Sequence, residues 1–337
     1  MVLSFGYDER SRTDSEWLSL ALERMQQRSR PLQSNFRVYA ILTYEYDAAD
    51  ESGAKRSGWV SGTNSESVFI GGSLCAERSA AVQLRELGVE VKVTAVYLVS
   101  DMETCITPGV LCREYLLSIC EPETPIHMSG CNGGEVRSAT LGSLYPHWCM
   151  YTALRAEDAV ASGSACRATG AVDASLRDFE FSDGKERERI LSLHRAVLKA
   201  TQEDAFESVH PIRYAAGVLF SDGTTETSWQ RKALEYGNTL DAISSLVRIM
   251  EQKQRADDGV GVVAAIHVDQ FGILHAPFAP ARAQLSELGF ADVDMFLHTP
   301  SSPHSCSLKV KRVKVADLVP DAPNMAEIFG CASCPSC

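Results

Sequence analysis

A succession of elements that occurs twice limits the fold more than any other feature. Residues 15–28 have helical spacing, with Trp17, Leu18, Leu20, Leu22 and Met25 on one side. Residues 36–46 are rich in aromatic and β-branched side chains, as a strand requires. A polar turn at 47–56 leads to a second strand near 58–62. Residues 74–87 are helical and stop before Gly88, and 91–100 form an apolar run typical of a buried strand. Pro108 opens a further helix toward Cys120, in the first turn where a missing N–H does no harm. The order returns about 170–180 residues later: helix 185–204, strand 214–220, turn 221–223, helix 240–250, strand 260–268 and a short helix 280–288. Both halves read as a three-layer α-β-α arrangement, so the expected fold class is α/β and duplicated. Two unrelated α/β domains are the alternative. The expected domains are 1–155 and 185–325. A linker rich in Ala, Gly and Ser lies at 156–184, and a cysteine-rich tail at 326–337.

A chain of 337 residues is comfortable as two domains, and 45% hydrophobic content lets each bury a core. The net charge of −12 and the lack of any Lys/Arg stripe argue against a dedicated nucleic-acid surface. No apolar run approaches the ~20 residues of a membrane helix. The first residues lack a signal-peptide pattern and are too acidic for a typical transit peptide, so a cytoplasmic setting is expected. Of 11 cysteines, seven lie from Cys75 to Cys166 and four from Cys306 to Cys337. In a reducing compartment such clustering points to metal or catalysis rather than to disulfides.

The segment Cys75-Ala76-Glu77-Arg78 opens one expected helix, and Pro108-Gly109-Val110-Leu111-Cys112 opens another. One helix and one buried strand join them, which would bring both thiols to one end of a sheet. Helix N-termini favour thiolate through their free N–H groups and dipole. This pattern resembles the cytidine deaminase family, whose signature is Cys-Ala-Glu followed by Pro-Cys-x-x-Cys. Further segments add to the likeness: Pro31-Leu32-Gln33-Ser34-Asn35-Phe36-Arg37-Val38, Gly62-Thr63-Asn64-Ser65-Glu66 and Leu141-Gly142-Ser143-Leu144-Tyr145-Pro146. The resemblance covers roughly residues 15–150. It implies a Zn2+ ion held by Cys75 and Cys112, and Glu77 as proton shuttle beside it. It also implies Asn64 and Glu66 on ribose hydroxyls, Phe36 against the pyrimidine or its sugar, and the Ala76 backbone N–H on the base. The alternatives for these residues are a core aromatic at Phe36 and a plain turn at Asn64–Glu66.

One departure matters. Where the family carries a zinc-binding cysteine, this chain has Gly109, and two thiolates alone make a poor catalytic zinc site. Cys105, three residues before Pro108, is the first candidate for the third ligand, since that gap spans up to about 10 Å. Cys131 or another group, or loss of the metal, are the alternatives. In the second half, Tyr236-Gly237-Asn238-Thr239-Leu240-Asp241-Ala242 and Pro277-Phe278-Ala279-Pro280-Ala281-Arg282 stand where the two motifs would recur, without a cysteine. That half resembles the non-catalytic second domain of dimeric family members, and His210, His267 and His275 read as surface or capping residues. The resemblance further implies a homodimer. The expected activity is hydrolytic deamination of cytidine or deoxycytidine. The competing reading is an inactive pseudoenzyme that binds nucleosides or a protein partner, and a nucleic-acid editing subunit is disfavoured by charge. The tail Cys331-Ala332-Ser333-Cys334-Pro335-Ser336-Cys337 has metal-type spacing but does not match a prenylation box.

Overall fold

A computed structural model describes residues 12–47, 55–152, 154–256, 260–300 and 306–322. The cysteines at 331, 334 and 337 lie outside the described residues. The chain divides into two compact units. Among the described residues, one runs to Tyr145 and takes in 320–322, and the other is Pro146–Val319.

The first unit contains α1 (Asp14–Gln26), β1 (Val38–Asp47), β2 (Lys55–Thr63), α2 (Ala76–Arg85), β3 (Lys92–Ser100), α3 (Val110–Leu117), β4 (Pro125–Ser129), β5 (Val136–Thr140) and α4 (Leu141–Leu144). Helix α1 starts at a reciprocal cap. Thr13 Oγ1 accepts from the Glu16 N–H at 3.3 Å, and Glu16 Oε2 accepts from the Thr13 N–H at 2.7 Å. Its buried side chains Trp17, Leu18, Ala21 and Met25 pack on Tyr39, Ile41, Trp59 and Tyr97. The sheet order is β2-β1-β3-β4-β5, antiparallel except for the parallel pair β3–β4. Helix α2 covers the opposite face. Ala40 pairs with Gly62 there, and a Cβ on Gly62 would stand 2.4 Å from the Ala76 carbonyl oxygen. Only glycine lets β2 approach the start of α2 so closely.

The second unit contains α5 (Ala156–Ala168), α6 (Ala171–Asp178), α7 (Gly184–Ala200), β6 (Tyr214–Phe220), β7 (Thr225–Trp229), α8 (Ser244–Ala256), β8 (Val262–Asp269), β9 (Leu274–His275), α9 (Ala279–Glu287), β10 (Asp294–Pro300) and β11 (Leu308–Lys314). Its sheet order, β7-β6-β8-β10-β11, repeats the first unit's, again with one parallel pair, β8–β10. Both units are therefore mixed sheets flanked by helices, as expected for the α/β class.

Two expectations are corrected here. Residues 156–184, read as a linker, form α5 and α6. Ala159, Cys166, Val172 and Leu176 are buried in the second unit's core, so small residues serve packing rather than mobility. His267 and His275, read as surface residues, are 0% and 3% exposed. His275 donates through Nε2 to Asp269 Oδ2 at 2.9 Å, and its Nδ1 lies 3.5 Å from Cys149 Sγ. Asp269 also receives the Tyr151 hydroxyl and the N–H groups of Phe271 and Ile273, which keeps this buried carboxylate fully bonded. His210 is half-buried, and its Nδ1 accepts from the Ile212 N–H at 3.3 Å in the loop before β6.

The buried histidines give the second unit an acid sensitivity. His298 Nδ1 accepts from the Leu274 N–H at 2.8 Å, so its ring must stay neutral and donate through Nε2 to Ser175 Oγ. Burial pushes His298 and His267 down to about 3. Their contribution to stability is complete above the unfolded value of about 6.5 and is lost as pH falls toward 3, by up to about 1.4 kcal/mol per pH unit for each ring. His275 has the opposite sign. Although burial opposes it, the ring's interactions with Cys149 and Asp269 raise it to about 10, so its contribution is complete below 6.5 and fades only as pH rises through 10. Urea midpoints should thus fall between pH 7 and 4.5. In His298→Asn, whose Oδ1 can accept the same N–H, the fall should be shallower.

Candidate functional site

Two helix starts in the first unit build the site. Cys75 is the N-cap of α2, in extended backbone, and Glu77 lies in the first turn behind it. Gly109 is the N-cap of α3, and Cys112 lies in that helix's first turn. Helices α2 and α3 pack together, so the two N-termini converge. One donor atom from each of Cys75, Glu77 and Cys112 lies within 4.8 Å of the other two, and among the described residues this is the one such group. Cys112 and Glu77 are 0% and 3% exposed, and Cys75 is half-buried.

The surroundings settle the charges. The Cys112 thiol donates to Cys75, and Arg78 Nη2 stands 3.6 Å from the Cys75 sulfur. Together they outweigh burial and push the Cys75 thiol down to about 6. The bond to Cys75, burial and the Glu77 carboxylate all push Cys112 up. Burial first, then the Cys75 charge, raises Glu77 to about 7. A carboxyl group poised near neutrality can both take and release a proton. Arg78 was not singled out from the sequence, although an Arg one residue after Glu77 in a helical first turn is the signal that could have found it.

A second arginine fixes the start of α3. Arg113 is 0% exposed, and all five of its N–H donors are used. Nε bonds the Pro108 carbonyl at 2.7 Å, and Nη1 bonds the carbonyls of Leu144 and Pro320 at 2.6 and 2.7 Å. Nη2 bonds Thr107 Oγ1 at 2.7 Å and the Asp321 carbonyl at 3.0 Å. The turn that leads into Gly109 and Cys112 is thereby pinned. The second unit has the same device, Arg282 donating through Nε to the Pro277 carbonyl at 2.6 Å.

Asn64 and Glu66 follow the end of β2. Asn64 Oδ1 accepts from the Val38 N–H at 2.9 Å, and its Nδ2 donates to the Phe36 carbonyl at 2.8 Å. Glu66 accepts from the Ser34 N–H at 2.8 Å and the Ser34 hydroxyl at 2.6 Å. The two residues thus hold the segment that carries Phe36, which is half-buried. The Glu66 charge works against the ionisation of Cys75. Ala76 is fully buried at the first position of α2.

Cys105 does not join the group of three. Its N–H donates to Glu135 Oε2 at 3.3 Å, and burial, then the Glu135 charge, raise its thiol. Cys131 is likewise outside the group. Gly109 leaves an open corner, where a Cβ would meet only Cys112 Sγ, at 4.0 Å. In the second unit the bridge Arg231–Leu240 matches Ser65–Leu74, which aligns Asp241 with Cys75. Asp241 caps its turn by accepting from the N–H groups of Ile243 and Ser244, and Ala281 precedes Arg282 as Cys112 precedes Arg113.

Two thiols and one carboxylate are donor types that zinc takes, and three protein donors with an open position suit a catalytic ion. The residues present therefore fit zinc, through a donor set with an oxygen where the resemblance implies a third sulfur. In protein stripped of metal, Cys75 should be the fastest alkylated by iodoacetamide at pH 7 among the described cysteines, with a rate that halves near pH 6. Arg78→Ala should move that midpoint upward, as read by peptide mapping of the labelled sites.

No model of a protein family matches the chain. The chain is similar to several solved structures. The cytidine deaminase from Burkholderia pseudomallei is 24% identical, over 39% of this chain and 95% of that one, with a TM-score of 0.31. The enzyme from Mycobacterium leprae is 26% identical, over 38% and 93%, with a TM-score of 0.29. That from Bacillus anthracis is 14% identical, over 41% and 92%, with a TM-score of 0.28. The structural neighbours of this chain are bacterial cytidine deaminases.

Proposed function

We propose that the chain is a zinc-dependent hydrolase that deaminates cytidine or deoxycytidine, releasing ammonia. The observation that carries this reading is the buried group of Cys75, Glu77 and Cys112 at two converging helix starts. Cys75 and Cys112 would hold the ion. Zinc, when held there, makes water a nucleophile at neutral pH. The remaining work belongs to the chain. A Glu77 oxygen takes the proton of the attacking water and delivers it to N3 of the pyrimidine. The same carboxyl passes a proton to the leaving amine. The Ala76 N–H faces the base, Phe36 packs on it or its sugar, and Asn64 with Glu66 takes the ribose hydroxyls. Arg78 offsets the negative charge of the thiols.

Purified protein should contain one zinc per chain and convert cytidine to uridine, as followed by the loss of cytidine absorbance. Glu77→Gln should lower kcat by at least about 10²-fold, and chelation should abolish turnover until zinc is restored. A folded protein that binds cytidine but never turns it over would favour the pseudoenzyme reading, which Gly109 supports.

The reading extends to a homodimer. Val68, Phe69 and Ile70, which follow Ser67, are 90%, 76% and 77% exposed. An apolar run of this kind is a contact surface in search of a partner. Sedimentation at micromolar concentration should give twice the chain mass, and Phe69→Asp with Ile70→Asp should return it to the mass of one chain. No described helix is long and apolar enough to cross a membrane.

A further inference from the structure

We infer that Glu77 is itself the third protein ligand of the metal in this chain, replacing the side chain that Gly109 lacks. The inference rests on the zinc reading above and deepens it. A catalytic zinc takes three protein donors and leaves one position open. Cys75 and Cys112 supply two. The family's third position is a glycine whose Cβ would have pointed into open space beside Cys112 Sγ. Cys105, whose backbone N–H donates to Glu135, lies outside the group, and no other Cys, His, Asp or Glu among the described residues joins it. Among the described residues, Glu77 alone brings a third donor atom within 4.8 Å of both sulfurs.

Charge supports the same assignment. The site is buried, and a buried charge needs a partner. Two thiolates and one carboxylate carry three negative charges. The ion offsets two of them and Arg78, whose Nη2 lies 3.6 Å from Cys75 Sγ, offsets the third. A thiolate at position 109 in addition to the Glu77 carboxylate would leave the cluster negative. A carboxylate also has two oxygens, so one can hold the metal while the other handles the proton of the attacking water. Ligand and proton carrier are then one residue, and an oxygen in place of a sulfur makes the site harder in character.

The test measures metal binding apart from turnover. Zinc affinity is read on metal-free full-length chain by competition with a chromophoric chelator, and thiolate number by the charge-transfer absorbance of cobalt(II)-substituted protein. Glu77→Gln should weaken zinc binding at least about tenfold, with an unchanged urea midpoint in the metal-free state. Gly109→Cys should tighten binding and raise the cobalt band by about one half, as a third thiolate joins two. The double variant Gly109→Cys/Glu77→Gln should bind at least as tightly as the wild type, and Cys105→Ser should bind as the wild type does. Equal zinc affinity in Glu77→Gln and wild type, lost affinity in Cys105→Ser, or no zinc uptake by the wild type would each overturn the assignment. The deaminase reading is scored separately on cytidine turnover, so zinc bound through Glu77 without turnover would sink that reading alone.

Discussion

A buried guanidinium holds the start of α3 in place, and the candidate site depends on it. Arg113 has no exposure to water, and each of its five N–H groups meets an oxygen. Such a cation is tolerated in a core only because every donor is bonded. Its planar fork reaches the turn at Thr107 and Pro108, the end of α4 at Leu144, and the strand-free segment at Pro320 and Asp321. That set of bonds positions Gly109 and Cys112. The second unit repeats the arrangement with Arg282 on Pro277. The two units therefore share a construction device as well as a strand order, with Cys112 before the arginine in the first and Ala281 in the second.

The chemistry of the site follows from what lies around that fixed turn. Cys75 and Cys112 occupy neighbouring helix starts, where unpaired N–H groups favour negative charge. Gly62 lets β2 come close enough to seat α2. Glu77 is then forced into a dry place beside a thiol, and its raised proton affinity is the direct result. In the second unit the corresponding positions hold Asp241 and Ala281. Asp241 spends its carboxylate on capping its own turn. Identical scaffolding therefore carries a reactive cluster in one unit and a plain helix cap in the other.

Much of this was legible before any coordinates. The helical period from Trp17 to Met25, the apolar runs before Ser100 and Val268, and the cysteine-bearing helix starts are local patterns, and local patterns survive in a single sequence. Strands β4, β5 and β11 were not legible, because they are short or lie at the sheet edge. The stretch 156–184 was misread because Ala, Gly and Ser look mobile in composition, yet small residues also permit close helix packing, as at Gly163 against Phe271. His267 and His275 were misread for a related reason. A histidine is polar by type, and only its neighbours decide whether its ring can be satisfied in a core.

The sequence by itself determined the α/β class, the two-part order and the residue types able to bind a metal, because periodicity and motif spacing are properties of neighbours along the chain. Tertiary structure alone decided which donors meet. Cys105 is three residues from Pro108 but turns to Glu135, while Glu77, 35 residues before Cys112, shares its pocket. Distance along the chain limits how far a side chain can reach. The packing of α2 against α3, and the pinning of the turn by Arg113, decide where it goes.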